Sequence, residues 1–191
     1  MTDPSGAAAL IRDFANTIDV EERTDALADV AGAAEWLRGQ GLLGDIARAG
    51  APRDANEPAF GEDDRLMAVT LRSGLRERLL VTGGGEGDVR QIERAQTVLD
   101  RLVLSAGLAD PREPLRPVTG VAARTALARI AAAWAQVCAS GEWRRLKRCP
   151  DHSCGWVFWD ATRSRTRRWC TMRICGNRAK TRAYTERRRA R

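Results

Sequence analysis

Apolar residues recur every three or four positions through most of the first 140 residues, which is the spacing of one buried helix face. One such stripe follows Thr24, the expected N-cap, and ends at two glycines, and a longer stripe begins at Arg65. Together the stripes predict helices near residues 24–39, 65–81, 89–102 and 127–140. This part of the chain is therefore predicted to be an α-rich domain.

Glycine and proline interrupt this helical pattern. Residues 51–64 are loop-like and end in acidic residues that suit a helix start, and the three prolines of 107–117 predict an extended or turning segment with a short strand. Residues 42–46 predict one further short helix. The glycine run at 82–88 predicts a turn rather than a phosphate-binding loop, because no Gly-Lys-Ser or Gly-Lys-Thr follows it.

Charge divides the chain into two parts. Residues 1–140 contain 16 Lys and Arg against 21 Asp and Glu, whereas residues 141–191 contain 16 against 4. No apolar run approaches the roughly 18–20 residues of a membrane helix, and the first residues lack the charge and apolar length of a signal peptide. We therefore expect a cytoplasmic protein with an N-terminal domain over 1–140 and a C-terminal module over 141–191.

Four of the five cysteines fall close together in the basic part: Cys149, Cys154, Cys170 and Cys175. Four residues separate the members of each pair, and 15 residues connect the two pairs. In a reducing compartment such a cluster predicts metal ligands. Two paired-thiol arms suit tetrahedral Zn²⁺, and four thiolates fill its coordination shell. The sequence predicts one structural zinc ion.

The residues around the cysteines predict the local fold. The spacer opens with Trp156–Trp159, turns near 160–164 and returns through 165–169, which predicts a β-hairpin. The residues after Cys175 are good helix formers without proline, so a helix is expected to begin there. Knuckle, hairpin and helix around one metal make a treble-clef-like α+β module, which follows a mainly α N-terminal domain.

Other assignments of the cysteines stay open at this point. An oxidising environment would favour disulfides, and His152, the only histidine, is an alternative ligand to Cys154. Cys138 stands apart at the end of a helical stripe, where a free, partly buried core thiol is expected. Because the single histidine has no serine in a nucleophile-elbow context as a partner, we expect no enzyme activity.

Arginine and aromatic residues surround the predicted zinc site. Six of the ten aromatic residues lie in 141–191, and the chain has 30 Arg against 2 Lys. Guanidinium groups bind phosphate in a bidentate manner. A helix after Cys175 places Arg178, Arg182 and Arg189 on one face and alanines on another. The loop between the cysteine pairs adds Arg163, Arg165, Arg167 and Arg168.

This pattern predicts a surface that binds the phosphates of DNA or RNA, with the salt dependence of counterion release. The alternative is that the arginines neutralise the zinc-thiolate charge, pair with the acidic N-terminal domain or contact a protein partner. The tryptophans would then fill a small core. Base-specific contacts are not assigned from the sequence.

The C-terminal part resembles the CGNR zinc-finger family, named after the tetrapeptide found here as Cys175-Gly176-Asn177-Arg178. The resemblance extends over about residues 143–185 and includes Arg168–Met172. It implies that the four clustered cysteines are the zinc ligands. It also implies that Arg178 and Lys180 are motif residues of a DNA-binding finger.

The N-terminal part resembles the ABATE domain. Phe14–Thr17 is similar to that domain's Phe-x-Asn-Thr signature, and residues 36–43 are similar to its first helix and turn. Together the resemblances imply a bacterial, stress-induced transcriptional regulator whose helical domain senses a small-molecule effector. Asn16 is a candidate ligand-binding residue, with capping of a turn or helix as the alternative. The alternative function is a zinc-organised protein-interaction module.

Overall fold

The computed structural model describes residues 3–43, 60–111, 113–118 and 121–189. Its α-helices are α1 (Gly6–Ala15), α2 (Val30–Gly39), α3 (Glu62–Thr82), α4 (Val89–Leu99), α5 (Ala122–Ala139) and α6 (Asn177–Arg189). Three antiparallel ribbons pair β1 (Ile18–Asp19) with β2 (Thr24–Asp25), β3 (Leu104–Ala106) with β4 (Leu115–Pro117), and β5 (Leu146–Arg148) with β6 (Val157–Trp159). A helical N-terminal part and a small α+β C-terminal part confirm the predicted fold class.

Helix α2 begins later than the sequence predicts. Its N-cap is Asp29, whose carboxylate accepts a hydrogen bond from the Gly32 amide at 2.8 Å. Thr24 instead belongs to β2. The adjacent Asp25 carboxylate accepts from the Leu27 amide at 2.8 Å and from Arg72 Nη2 at 2.8 Å, which holds this segment extended. A long-range ion pair therefore overrides the local helix signal.

The glycine run at 82–88 forms the predicted turn between α3 and α4. Gly84 adopts φ +83°, and Asp88 caps α4 by accepting from the Arg90 and Gln91 amides. The two helices pack closely at Gly74, where a Cβ would lie 2.2 Å from Ala95 Cβ and 2.7 Å from the Gln91 carbonyl oxygen. Only glycine permits this approach.

Strand β4, which pairs with β3, lies in the proline-rich segment at 107–117 and confirms the short strand predicted there. The helix predicted near 42–46 and the loop predicted over 51–64 fall mostly outside the described residues. Among the helices of the described residues, none combines the length and the hydropathy of a membrane-spanning segment.

The hydrophobic core lies among α1, α3 and α5 and continues into the β5–β6 ribbon. Fully buried side chains include Phe14 of α1, Leu79 of α3 and Leu127 of α5, together with Leu146 and Val157 of the two C-terminal strands. Burying each such side chain contributes about 1.5–3 kcal/mol. The apolar core thus crosses the predicted division of the chain near residue 140.

Cys138 corrects one prediction. It is a free thiol, but it is exposed rather than partly buried in the core. The reason is its position on α5, one residue after the fully buried Val137 and so about 100° around the helix from the core-facing side.

Candidate metal centre and its basic surround

The structure brings the four predicted ligand sulfurs together. The Sγ atoms of Cys149, Cys154, Cys170 and Cys175 all lie within 4.8 Å of one another, and that of Cys170 is 3.5 Å from those of Cys154 and Cys175. All four thiols are free, and these separations far exceed a disulfide bond of about 2.05 Å. His152 is exposed and is not part of the cluster.

This donor set fits one zinc ion. A tetrahedral Zn²⁺ with Zn–S bonds of about 2.3 Å places neighbouring sulfurs about 3.8 Å apart. Three of the four cysteines are buried and Cys170 is half-buried, so little water competes for the metal. When bound, the zinc supplies a divalent charge that holds four thiolates in one place. The centre is therefore a single-zinc site.

Burial affects the thiols strongly. It raises the pKa of Cys154 to about 12, and it also raises the pKa of Cys175, with the neighbouring thiols adding to both shifts. Thiolates are the form that binds zinc. Binding of Zn²⁺ to the folded site must therefore release thiol protons, and zinc affinity falls as the pH is lowered.

The first cysteine arm is a tight turn that closes the β5–β6 ribbon. The Asp151 carbonyl accepts from the Cys154 and Gly155 amides at 2.9 Å each, and the Trp156 carbonyl accepts from the Cys149 amide at 2.8 Å. Gly155 adopts φ +60°, a conformation that glycine takes without strain. These bonds curl the backbone so that the two thiols of the arm face the same point.

The second arm leads directly into α6. The Thr171 carbonyl accepts from the Cys175 and Gly176 amides, and residues Met172–Gly176 form one wide helical turn. Gly176 packs under the Met172 side chain, where a Cβ would lie 2.4 Å from the sulfur. Helix α6 then runs from Asn177 to Arg189, which confirms the helix predicted after Cys175.

The predicted β-hairpin is correct in its first strand and wrong in its partner. Strand β6 pairs with β5, in register Leu146–Trp159 and Arg148–Val157, and not with residues 165–169. The return segment is irregular because side chains rather than a strand hold its backbone. Lys147 Nζ donates to the carbonyls of Arg165 at 2.5 Å and Arg167 at 3.0 Å.

Lys147 and Asp160 form a buried ion pair at the centre of this arrangement. Their Nζ–Oδ2 distance is 2.8 Å, with 7% and 0% of the respective side chains exposed. Asp160 also accepts from the Thr162 amide and hydroxyl and from the Arg167 amide. Burial alone would raise the pKa of Asp160, but the bonds from Lys147 and Thr162 hold it below its usual value.

Two of the predicted nucleic-acid contacts, Arg178 and Arg182, are ion-paired within the chain. Arg182 Nη2 donates to Asp151 Oδ1 at 2.9 Å, and Arg178 Nε lies 3.5 Å from Asp151 Oδ2. Arg178 also donates to Glu21 of the β1–β2 turn at 2.8 Å. Asp151 is fully buried in the first cysteine arm. This row of α6 therefore fastens the helix to the zinc arm.

The other predicted contact residues are exposed, but they differ in freedom. Arg167 lies over Phe158 and donates to the Trp169 and Cys170 carbonyls, and Arg168 lies over Trp169. Arg165 adopts φ +55° and offers its carbonyl to Lys147. Among the described residues, no ion pair involves Arg163, Lys180 or Arg189.

Asn16 links the helical part to the zinc module. Its side-chain Nδ2 donates to the Val157 carbonyl and its Oδ1 accepts from the Val157 amide, both at 2.8 Å. It is also the C-cap of α1. Asn16 borders a surface cleft of about 590 Å³ beside Trp156, but both polar atoms of its amide are engaged by the strand backbone. The side chain therefore joins α1 to β6 instead of capping a turn or helix, and its role in ligand binding stays a prediction.

Arg76 of α3 reaches the first cysteine arm. Its Nη1 donates to the Ala15 carbonyl at 2.6 Å and its Nη2 to the Gly155 carbonyl at 2.9 Å. The side chain is buried and has no acidic partner within the described ranges, and burial together with Arg148 and Arg72 lowers its pKa to about 10. Its charge lies next to Gly155 and interacts with Cys154, so it would offset part of the net negative charge that four thiolates give a bound zinc ion.

Arg76→Met should therefore weaken zinc binding. Groups that orient metal ligands from outside the coordination shell typically change metal affinity by about 10–100-fold. Competition with a chromophoric chelator measures this affinity, and Arg78→Met, an exposed arginine on the same helix, is the matched control. A folded Arg76→Met variant with wild-type zinc affinity would show that Arg76 does not support the centre.

Lys147, Asp160, Asp151 and Arg76 are functional residues that the sequence reasoning missed. A signal for three of them is present: Lys147 is one of two lysines, and Asp151 and Asp160 are two of only four acidic residues in the basic part. Rare acids in a strongly basic segment indicate paired, buried carboxylates. Arg76 has no comparable signal, since it lies among many arginines of the helical part.

The fold and the site together define a class of protein: a helical domain joined to a zinc finger with four thiolate ligands. A family profile named CGNR zinc finger matches residues 145–188, and the ABATE profile, described as "Putative stress-induced transcription regulator", matches residues 8–141. Because the second match covers more than half of the chain, the chain belongs to the ABATE family and carries a CGNR zinc finger. A search of curated proteins gives no match.

Proposed function

We propose that this chain is a DNA-binding transcription regulator in which the zinc centre fixes a basic helix for contact with phosphates. The observation that carries the proposal is the state of α6. Its start is anchored to the zinc arm through Cys175 and through the Arg182–Asp151 pair, while each of residues 180–189 is exposed. The helix contains six Arg and Lys residues and one glutamate.

A short, exposed helix of this kind is only marginally stable unless a partner binds it. Isolated helices of fewer than about 12–15 residues are marginal in water, and α6 has 13 residues, none of them buried. A protruding cationic helix suits the deep, negatively charged groove of duplex DNA, where the phosphates supply the missing counter-charge. The family description as a transcription regulator supports the same function.

We further propose that the zinc is structural and the protein is not an enzyme. Four thiolates occupy all positions of a tetrahedral shell and leave none for an activated water. An effector of the helical domain would act by changing how α6 is presented, through contacts such as Arg178–Glu21 that join the two parts.

A protein-interaction module is the second candidate. One observation favours it: Met172 and Ile174, which are 51% and 45% exposed, both lie in the wide turn before α6. Exposed apolar side chains of this kind are common at protein interfaces. The two candidates differ in salt dependence, because apolar association lacks the counterion release of phosphate binding.

We expect zinc-loaded protein to bind a fluorescent random-sequence duplex with an affinity that falls steeply with salt. Contacts to three phosphates alone would give a slope of about −2.7 in log K against log salt. Anisotropy titrations from about 50 to 300 mM salt measure it, with chelator-stripped protein as the control. No binding at the lowest salt, or a flat response, would favour the interaction module.

A further inference from the structure

The basic residues of α6 divide into two rows with different surroundings. Arg178 and Arg182 face inward, toward the buried Asp151 and toward Glu21. At about 100° per residue, Lys180, Tyr184 and Arg187 lie about 140–180° around the helix from the midpoint of that row. The inward row already has its counter-charges inside the chain, whereas the opposite side faces away from them.

We propose that the outer face of α6, formed by Lys180, Tyr184 and Arg187, is the surface that contacts duplex DNA. The assignment of the DNA contact to this face rests on the proposed function. Arg178 and Arg182 are then positioning residues that hold the helix on the zinc arm. This proposal replaces the expectation that Arg178 and Arg182 themselves contact phosphate.

The charges of the described residues support this division. Within the described part of the chain, Lys180 and Arg187 take part in no ion pair, and Arg187 Nε bonds only to the carbonyl of Ala183 in its own helix. Glu186, the acidic residue of α6, lies on a flank about 100–120° from both. An anion approaching the outer face therefore meets cations without an intramolecular competitor. At the inward row it would have to displace a buried carboxylate.

The shape of this face favours a duplex over a flat acidic surface. Residues 183–189, which follow the last contact of α6 with Asp151, are all exposed and extend over about 10 Å of helix. The major groove is about 12 Å wide and 8.5 Å deep and admits one α-helix. Tyr184, 57% exposed, lies between Lys180 and Arg187 and presents an uncharged ring to the groove, while the flanking cations meet phosphates.

The test compares two double variants of the full zinc-loaded chain on the same random-sequence duplex. Lys180→Ala with Arg187→Ala removes two outer cations, and Arg90→Ala with Arg94→Ala removes two exposed arginines from α4 as the matched control. Loss of two phosphate contacts should reduce the salt slope by about 1.8, a loss of about 60-fold in affinity at 0.1 M salt if affinities converge at 1 M. Zinc content and helicity should be unchanged.

Tyr184→Ala gives an independent readout. Because the ring is uncharged, its loss should lower affinity without changing the salt slope. Arg178→Ala with Arg182→Ala should lower zinc retention and α6 helicity together with DNA affinity. That result is expected because the substitution leaves the buried Asp151 carboxylate without its cations.

Three outcomes separate the inference from the function on which it rests. If the outer double variant binds like the wild type, the outer face is not the contact surface and DNA binding stands. If the inner double variant loses salt slope but keeps its zinc and helicity, the contact lies on the Arg178 row. If the wild type binds no duplex at low salt, both the function and the inference are overturned.

Discussion

Cys175→Ser should abolish stoichiometric zinc binding and melt α6. Zinc bound by Cys175 would hold the start of this helix, and structural zinc in small modules contributes about 10–16 kcal/mol at neutral pH. Helix α6 has no buried residue of its own to hold it once its start is released. We expect zinc content to fall from one ion per chain to near zero, with loss of the helical ellipticity of about 13 residues.

The control for this experiment is Cys138→Ser, which removes the exposed cysteine outside the cluster. It should leave metal content and circular dichroism unchanged. Elemental analysis after dialysis measures the zinc, and the dichroism spectrum measures the helix. Full zinc retention in Cys175→Ser would mean that the ligand set is wrong, and a zinc-free variant with α6 intact would mean that the metal does not organise the helix.

Lys147→Met should have the second-largest effect, a loss of about 3–5 kcal/mol in the free energy of unfolding. The substitution leaves the fully buried Asp160 carboxylate without its cation and frees the carbonyls of Arg165 and Arg167. Chemical denaturation of the zinc-loaded protein measures the change. Lys180→Met, at the other lysine of the chain, is exposed and should cost little.

Acid should reproduce part of this loss in the wild type. The pKa of Asp160 is held low in the fold, so its ionised form stabilises the protein above the ordinary aspartate pKa. This contribution is lost as the pH falls through the folded-state value. Asp160→Asn should be less stable near neutral pH and should lack that acid-dependent loss. If wild type and Lys147→Met had equal free energies of unfolding, the Lys147–Asp160 ion pair would not stabilise the fold.

The sequence predicted the parts of the site that rest on local pattern. Cysteine spacing determined which four thiols converge, and the absence of proline after Cys175 indicated α6. The hairpin partner was wrong because a β-favouring run does not state which segment it pairs with. Residues 165–169 lack the alternation of apolar and polar residues that marks a strand. Their backbone is held by Lys147, which lies 18 or more residues earlier in the chain.

Long-range polar contacts account for the rest of what sequence reasoning missed. Arg76 and Gly155 are 79 residues apart, and Asn16 and Val157 are 141 residues apart, so no periodicity connects them. The predicted arginine face of α6 was geometrically correct, and its contact with nucleic acid stays a prediction. Helical spacing shows which residues share a side of a helix, but it does not show that the buried Asp151 pairs with Arg178 and Arg182.

The continuity of the core from Phe14 and Leu79 into Leu146 and Val157 bears on how such chains change over time. A zinc finger that shares a hydrophobic core with the neighbouring domain would lose part of that core if recombination moved it to another protein. Substitutions along α1 or α3 must stay compatible with two zinc-module strands. The two halves are therefore expected to have been inherited as one piece.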